Sequence, residues 1–263
     1  MSISNSSIRL RTLTTVMSLV TLMSFFIPAV FRAGGGIGDV VTAVSVVQKT
    51  DAGSAAQTEP SPPLVILDAG HGGEDGGAVS ADGVSEKTLN LSIVLTLGDM
   101  LEAAGVPVVY TRTEDNGLYD GASPGHRKMT DLKNRLAVRQ KYPEAVFLSV
   151  HMNTFSAAQY HGMQVFYSKN DERSKLLADL IRETNRTYLQ PDNERVCKAA
   201  DSSIYLLDRS GGCAVLTECG FLSNPEEAAS LSDPAYREKV AGVLCASVLQ
   251  YLYGNESIER TTQ

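Results

Sequence analysis

The sequence predicts an α/β domain with a mostly parallel, twisted sheet flanked by helices on both faces, preceded by an N-terminal membrane segment. Three observations predict it. From residue 64 onward, short apolar runs alternate with longer stretches of helical period. Glycines and prolines fall between these runs, where the chain must turn. Ahead of them, Arg9 and Arg11 precede an uncharged, largely apolar stretch over residues 13–31.

That first stretch reaches roughly 28 Å as a helix, close to the thickness of a bilayer core. Its basic N-terminal flank predicts an N-in, C-out orientation. Residues 1–32 therefore read as a signal anchor, with a cleavable signal peptide as the rival. Val30-Phe31-Arg32-Ala33 is not a clean small-x-small cleavage site. Either reading carries the rest of the chain across a membrane. Residues 33–63 read as a flexible linker, opening on Ala33-Gly34-Gly35-Gly36 and closing on Pro60-Ser61-Pro62-Pro63. A short apolar stretch at 40–47 interrupts it, as a strand or as a helix lying on the membrane.

Residues 64–254 form the predicted catalytic unit. Residues 64–67 read as a buried strand ending at Asp68, followed by a glycine-rich loop. Leu89, Ile93, Leu97 and Leu101 place a helix over 85–104, which Gly105 stops. A second strand is expected at 106–111, a helix at 129–141 and a third strand at 145–150. Further strands are expected at 162–167, 204–207 and 214–217, with helices at 172–188 and 234–251. The strand–helix alternation implies parallel strands with crossover helices. The polar tail, 255–263, reads as disordered.

Composition narrows the chemistry. The chain has 263 residues and is 43% hydrophobic, enough for one sizeable domain plus extra segments. It has no Trp, 6% aromatic residues and a net charge of -7, which argue against a nucleic-acid partner. Cys197, Cys213, Cys219 and Cys245 form no CxxC pair, so they read as buried or free thiols, with a disulfide open in an oxidising compartment.

Ligands of doubly wound sheets bind outside the carboxyl ends of the strands. His71 follows the first strand, His151 closes the third, and Glu218 ends the last core strand. Glu86 opens the first helix, which enters from the same loop as His71. Two histidines and a carboxylate are a catalytic zinc set with one position left open. Glu86, on the glycine-loop side with His71, is assigned to the metal; Glu218 is assigned to proton transfer. Plain alternatives stand beside each assignment. His71 can simply occupy a turn, Glu86 can favour a helix N-terminus, His151 can be a satisfied strand-end residue, and Glu218 can pair with an arginine. His126 and His161 read as loop or surface residues.

The exact strings add to this. Leu67-Asp68-Ala69-Gly70-His71-Gly72-Gly73, Ser149-Val150-His151-Met152-Asn153 and Glu218-Cys219-Gly220-Phe221-Leu222-Ser223-Asn224 resemble the zinc-dependent N-acetylmuramoyl-L-alanine amidases, as does Val109-Tyr110-Thr111-Arg112. The resemblance runs over about 64–252. It departs at Ala69, where the family usually has Pro, a difference that touches turn rigidity rather than metal chemistry. It implies Zn2+ held by His71, Glu86 and His151, Glu218 as catalytic glutamate, and cleavage of the amide between N-acetylmuramic acid and L-alanine in peptidoglycan. Within that scheme, Asn153 either orients His151 or touches substrate. Arg112 either binds a stem-peptide carboxylate or plays a structural part beside Glu114 and Asp115. The single N-terminal anchor and the 127–139 segment look like the spore-cortex (CwlD-type) branch, whose product goes on to muramic-δ-lactam. An activating protein partner, one that assists zinc loading or positioning, is left open by the sequence. A zinc peptidase or deacetylase acting on another amide, and an inactive wall-binding scaffold, are the competing readings.

Overall fold

The computed structural model describes residues 63–254. The expected membrane segment at 1–32, all but the last residue of the linker at 33–63 and the tail at 255–263 lie outside the described residues. Among the described residues, no helix is long and apolar enough to cross a membrane.

Six strands form one sheet: β1 (Val65–Ala69), β2 (Val108–Tyr110), β3 (Val146–Asn153), β4 (Gln164–Tyr167), β5 (Lys198–Ala199) and β6 (Ala214–Phe221). Their spatial order is β2-β1-β3-β6-β4-β5. Five principal helices accompany them: α1 (Glu86–Ala103), α2 (Arg127–Lys141), α3 (Glu172–Tyr188), α5 (Pro225–Ser232) and α6 (Pro234–Tyr253), with a one-turn helix, α4 (Tyr205–Arg209).

Alternation along the strands sorts the core into two faces. Val65 and Leu67 of β1, with Val146, Leu148 and Val150 of β3, point to one face. There they meet Leu89, Ile93, Leu97 and Leu101 of α1, Leu177 and Ile181 of α3, and Val240, Leu244 and Val248 of α6. Ile66, Phe147, Ala214 and Leu216 point to the other face, against Leu136 of α2 and Leu206 and Leu207. Each fully buried Val, Leu, Ile or Phe among them contributes about 1.5–3 kcal/mol. Helices thus cover both faces, as the alternating sequence implied.

The sheet is mixed rather than uniformly parallel. Neighbours run parallel throughout except β4 and β6, which are antiparallel. The cause is readable. A parallel return needs a crossover connection, usually a helix, and the short connection between β3 and β4 contains none. The chain therefore turns over at the sheet edge and comes back.

One element differs in kind. The run at 204–207, expected as a strand, lies in α4, and β5 takes the sheet edge instead. Asp201 accepts a hydrogen bond from the Ser203 backbone N–H at 2.8 Å, winding the chain into a turn just before it. Four apolar residues bury equally well on one side of a short helix, and Leu206 and Leu207 do so. α5 is a helix beyond those expected from the sequence. Its signals are present: Asn224 Oδ1 accepts from the Glu226 and Glu227 backbone N–H groups, and Pro225 occupies the first turn.

Candidate active site

The carboxyl edge of the sheet gathers the four expected residues. His71 stands in the loop after β1, Glu86 is the first residue of α1, His151 lies near the end of β3, and Glu218 is its Cα partner on β6. One donor atom from each of His71, Glu86 and His151 lies within 4.8 Å of the others. Glu86 Oε1 is the meeting point, 3.3 Å from His71 Nε2 and 2.9 Å from His151 Nδ1. The two imidazole rings meet edge to face with centroids 4.9 Å apart.

Close approach explains the glycines around them. A Cβ at Gly70 would fall on the His151 ring, and one at Gly77 would meet the Glu86 carboxylate and the His71 ring. His71 itself has φ 61°, a left-handed backbone that L residues rarely adopt.

Each donor is held by a partner. Asp75 Oδ2 lies 3.0 Å from His71 Nδ1, so that nitrogen is engaged and Nε2 faces Glu86. Glu86 Oε1 also accepts from the Met152 backbone N–H at 3.0 Å and Asn90 Nδ2 at 3.3 Å, and its Oε2 from the Ala78 N–H at 2.8 Å. Behind the site, fully buried Asp68 accepts from Arg135 Nη1 and Thr111 Oγ1 at 2.7 Å and from Ser149 Oγ at 2.6 Å. Arg135 also donates to the carbonyls of Ala69 and His71, at 2.7 and 2.6 Å. It thereby ties α2 to the histidine loop.

The electrostatics separate the two glutamates. Burial alone would raise the Glu86 pKa, but hydrogen bonds and charge from His151 and His71 outweigh it and hold the group ionised. Glu218 lacks such bonds. Burial pushes its carboxyl up to about 7, with the Glu86 charge adding to the rise against the pull of the histidines. Its Oε2 is out of contact with solvent and has no hydrogen-bond partner. Burial of a carboxylate oxygen with nothing to satisfy it carries a penalty, which a cation or a substrate proton at this edge relieves. With the converging donor set, this makes the residues fit a zinc ion: two imidazole nitrogens, one carboxylate and a spare carboxylate beside them.

The remaining expectations divide. Asn153 lies half-buried on β3, two residues beyond His151, and its carbonyl accepts from the Leu222 N–H at 2.8 Å. Arg112 is buried, with its donors on the carbonyls of Ala69, Gly70, Lys87 and Glu114 at 2.8–3.0 Å. It braces the histidine loop from behind. His126 and His161 are exposed, and their rings bond to the neighbouring Ser123 and Gln159. All four cysteines are free thiols. Cys219 turns away from Glu218 into the core, and burial pushes its thiol up to about 12. It is no competitor for a metal. Asp75, Asn90, Asp68 and Arg135 were not singled out from the sequence. A polar Asn90 inside an apolar helix face and an Asp four residues past His71 were their only signals.

Comparison with known proteins identifies the family. The N-acetylmuramoyl-L-alanine amidase family (Amidase_3) matches residues 65–250. A germination-specific N-acetylmuramoyl-L-alanine amidase of Bacillus subtilis is 32% identical over 190 residues, covering 72% of this chain and 79% of that protein. The structure of the CwlD amidase from Clostridioides difficile in complex with the GerS lipoprotein superposes with a TM-score of 0.70 at 38% identity, covering 72% of this chain and 98% of that one. The catalytic domain of the amidase CwlV from Bacillus (Paenibacillus) polymyxa superposes with a TM-score of 0.61 at 29% identity, over 72% and 98% of the two chains. With this family match over nearly all of the described residues and these relatives, the chain belongs to the N-acetylmuramoyl-L-alanine amidases, enzymes that hydrolyse peptidoglycan.

Proposed function

We propose that the amidase is zinc-dependent, with His71, Glu86 and His151 as ligands and Glu218 as the group that moves protons. The scissile bond joins the lactyl group of N-acetylmuramic acid to the first L-alanine of the stem peptide. The observation that carries the reading is the partnerless Glu218 oxygen beside three converging donors. When bound, zinc supplies Lewis-acid activation of a carbonyl and of water.

The remaining work belongs to side chains. Glu218 takes the proton of the attacking water and returns it to the alanine nitrogen as the C–N bond breaks. A carboxyl raised by burial is suited to both transfers. Asp75 engages His71 Nδ1 and keeps Nε2 turned to the metal position. Asn153 contacts the substrate from the rim, while Arg112 holds the loop and does not reach it.

Zinc content and muropeptide digestion with the full-length chain test this. Glu218→Gln should keep zinc and lose about 10²–10⁴-fold in turnover. Normal turnover in that variant, or a digest without free N-terminal alanine, contradicts the reading.

A spore-cortex role is the finer proposal, supported by 38% identity to the CwlD amidase and 32% to a germination-specific amidase. The enzyme then acts outside the cytoplasmic membrane, held by its N-terminal segment or released after cleavage. The neighbouring structure contains a lipoprotein, which supports proposing an activating protein partner here too. Restoration of muramic-δ-lactam in a Bacillus subtilis strain lacking its germination-specific amidase checks the cortex role.

A further inference from the structure

A cavity of about 230 Å³ beside the histidine loop has no role in the chemistry above. Glu74, Asp75, Tyr119, Arg127, Lys128 and Asp131 are among its lining residues. Glu74 and Asp75 come from the loop after β1, and the others from the segment after β2 and from α2. The cavity therefore lies on the β1–β2 flank of the sheet edge. Asp75 is also the carboxylate 3.0 Å from His71 Nδ1, so a single side chain separates the cavity from the donor set.

The other flank differs in character. Phe155 and Tyr160 lie in the connection between β3 and β4, 53% and 44% exposed, with rings edge to face at 4.7 Å. Buried Phe221, at the end of β6, lies 6.4 Å from the Tyr160 ring, and the Arg195 guanidinium lies over both, 6.0 Å from the Tyr160 centroid and 4.5 Å from that of Phe221, which leaves Phe155 and Tyr160 as the exposed rings. An amide of this class has two unlike sides. Its carbonyl belongs to a sugar whose lactyl carboxyl is consumed in the bond, so that side is uncharged and suits aromatic faces. Its nitrogen belongs to a peptide that bears free carboxylates and suits a charged cavity.

Within the cavity the charges are not equally available. Arg127 is paired with Glu74 and lies 5.6 Å from the centre of the Tyr119 ring. Asp131 is engaged by Arg135 and by the Leu118 N–H. Lys128 is exposed and forms no salt bridge within 4 Å among the described residues; its charge acts on Asp75 from a longer range. The carboxyl of L-alanine is consumed in the stem, so the residue following it, where it is joined onward through its side-chain carboxyl, is the first that offers a free α-carboxylate.

We propose that this cavity receives the stem peptide on the amine side of the scissile bond, and that Lys128 pairs with the α-carboxylate of the residue after L-alanine. The inference rests on the amidase reading and gives the substrate a direction across the sheet edge.

The test uses linear glycan strands whose second stem residue bears either a free α-carboxylate or its amide, with kcat/KM read from released N-terminal alanine. The full-length wild-type chain should prefer the carboxylate form by roughly three- to tenfold, chiefly through KM. Lys128→Ala should bring the ratio close to one, Lys128→Glu should invert it, and Lys128→Arg should restore it. Lys239→Ala, an exposed lysine of α6, should keep the wild-type ratio. A wild-type ratio near one, or an unchanged ratio in Lys128→Ala, overturns the assignment. Failure of the wild-type chain to cut either strand overturns the amidase reading itself, and the assignment with it.

Discussion

His71 carries the most constrained chemistry in the molecule. Its backbone is left-handed, at φ 61°, which costs roughly 1–2 kcal/mol in a residue with a Cβ. Its ring lies between two carboxylates, Asp75 and Glu86. Burial alone would lower its pKa, but hydrogen bonds and charge from Glu86 and Asp75 outweigh it and push the pKa up to about 9. Without metal the imidazole is thus protonated at neutral pH, and zinc has to displace that proton. Zinc affinity measured against a chelator should climb with pH throughout the range below about 9 and level off above. The metal-free protein should behave in the opposite sense. A raised histidine pKa stabilises the fold fully below the unfolded value of 6.5, and the gain is lost as pH rises through about 9. Its melting temperature should fall over that window. A flat affinity profile contradicts the assignment of His71 as a ligand.

Two substitutions act on the same few atoms. Asp75→Ala frees Nδ1 and should weaken zinc binding by roughly 10–100-fold while the fold persists. Gly70→Ala places a methyl group where the His151 ring lies. It should abolish zinc binding in metal analysis, with helical content by circular dichroism retained.

At the scale of elements, α2 and β1 are joined by the buried ion pair of Arg135 and Asp68, 2.7 Å apart. Removing one partner leaves the other charged in the core. Arg135→Ala should therefore destabilise by about 3–5 kcal/mol in chemical denaturation, and loosen the loop that holds His71. Burial alone would raise the Asp68 pKa, but the Arg135 charge and the Ser149 hydrogen bond, with lesser help from His151 and Thr111, hold it below its ordinary 3.8. A depressed carboxylate stabilises above its unfolded pKa and loses that contribution as pH falls through the folded value. Acid unfolding that begins below about pH 4 is expected, and Asp68→Asn should flatten that acid limb. The elements themselves were largely readable. α1 and α3 follow from their apolar period, and β1 and β3 from short runs buried on both faces. The 204–207 run was misread because four apolar residues have no diagnostic period. The reversal of β4 was present as a missing helix between β3 and β4, but the overall alternation outweighed it.

For the whole molecule, the site exists because topology brings four distant segments to one edge. His71, His151 and Glu218 were legible since each ends a strand, and such ends converge in this fold class. Asp75, Asn90 and Arg135 were not, because their value lies in contacts the chain makes only once folded. Arg135 meets the His71 carbonyl from 64 positions away. Arg112 entered through the family resemblance, with a substrate-binding and a structural role open, and its environment is backbone carbonyl on every donor. The edge itself has two unlike flanks, charged beside β1 and aromatic beside β4, and the direction of substrate binding follows from that difference.

The most direct measurement is anomalous diffraction at the zinc edge from crystals of the zinc-loaded full-length chain. The expected result is a single strong peak bonded to His71 Nε2, a Glu86 oxygen and His151 Nδ1, with Glu218 beside it and outside the coordination sphere. A peak elsewhere in the protein, no peak in an active preparation, or Glu218 among the ligands with Glu86 released would contradict the account.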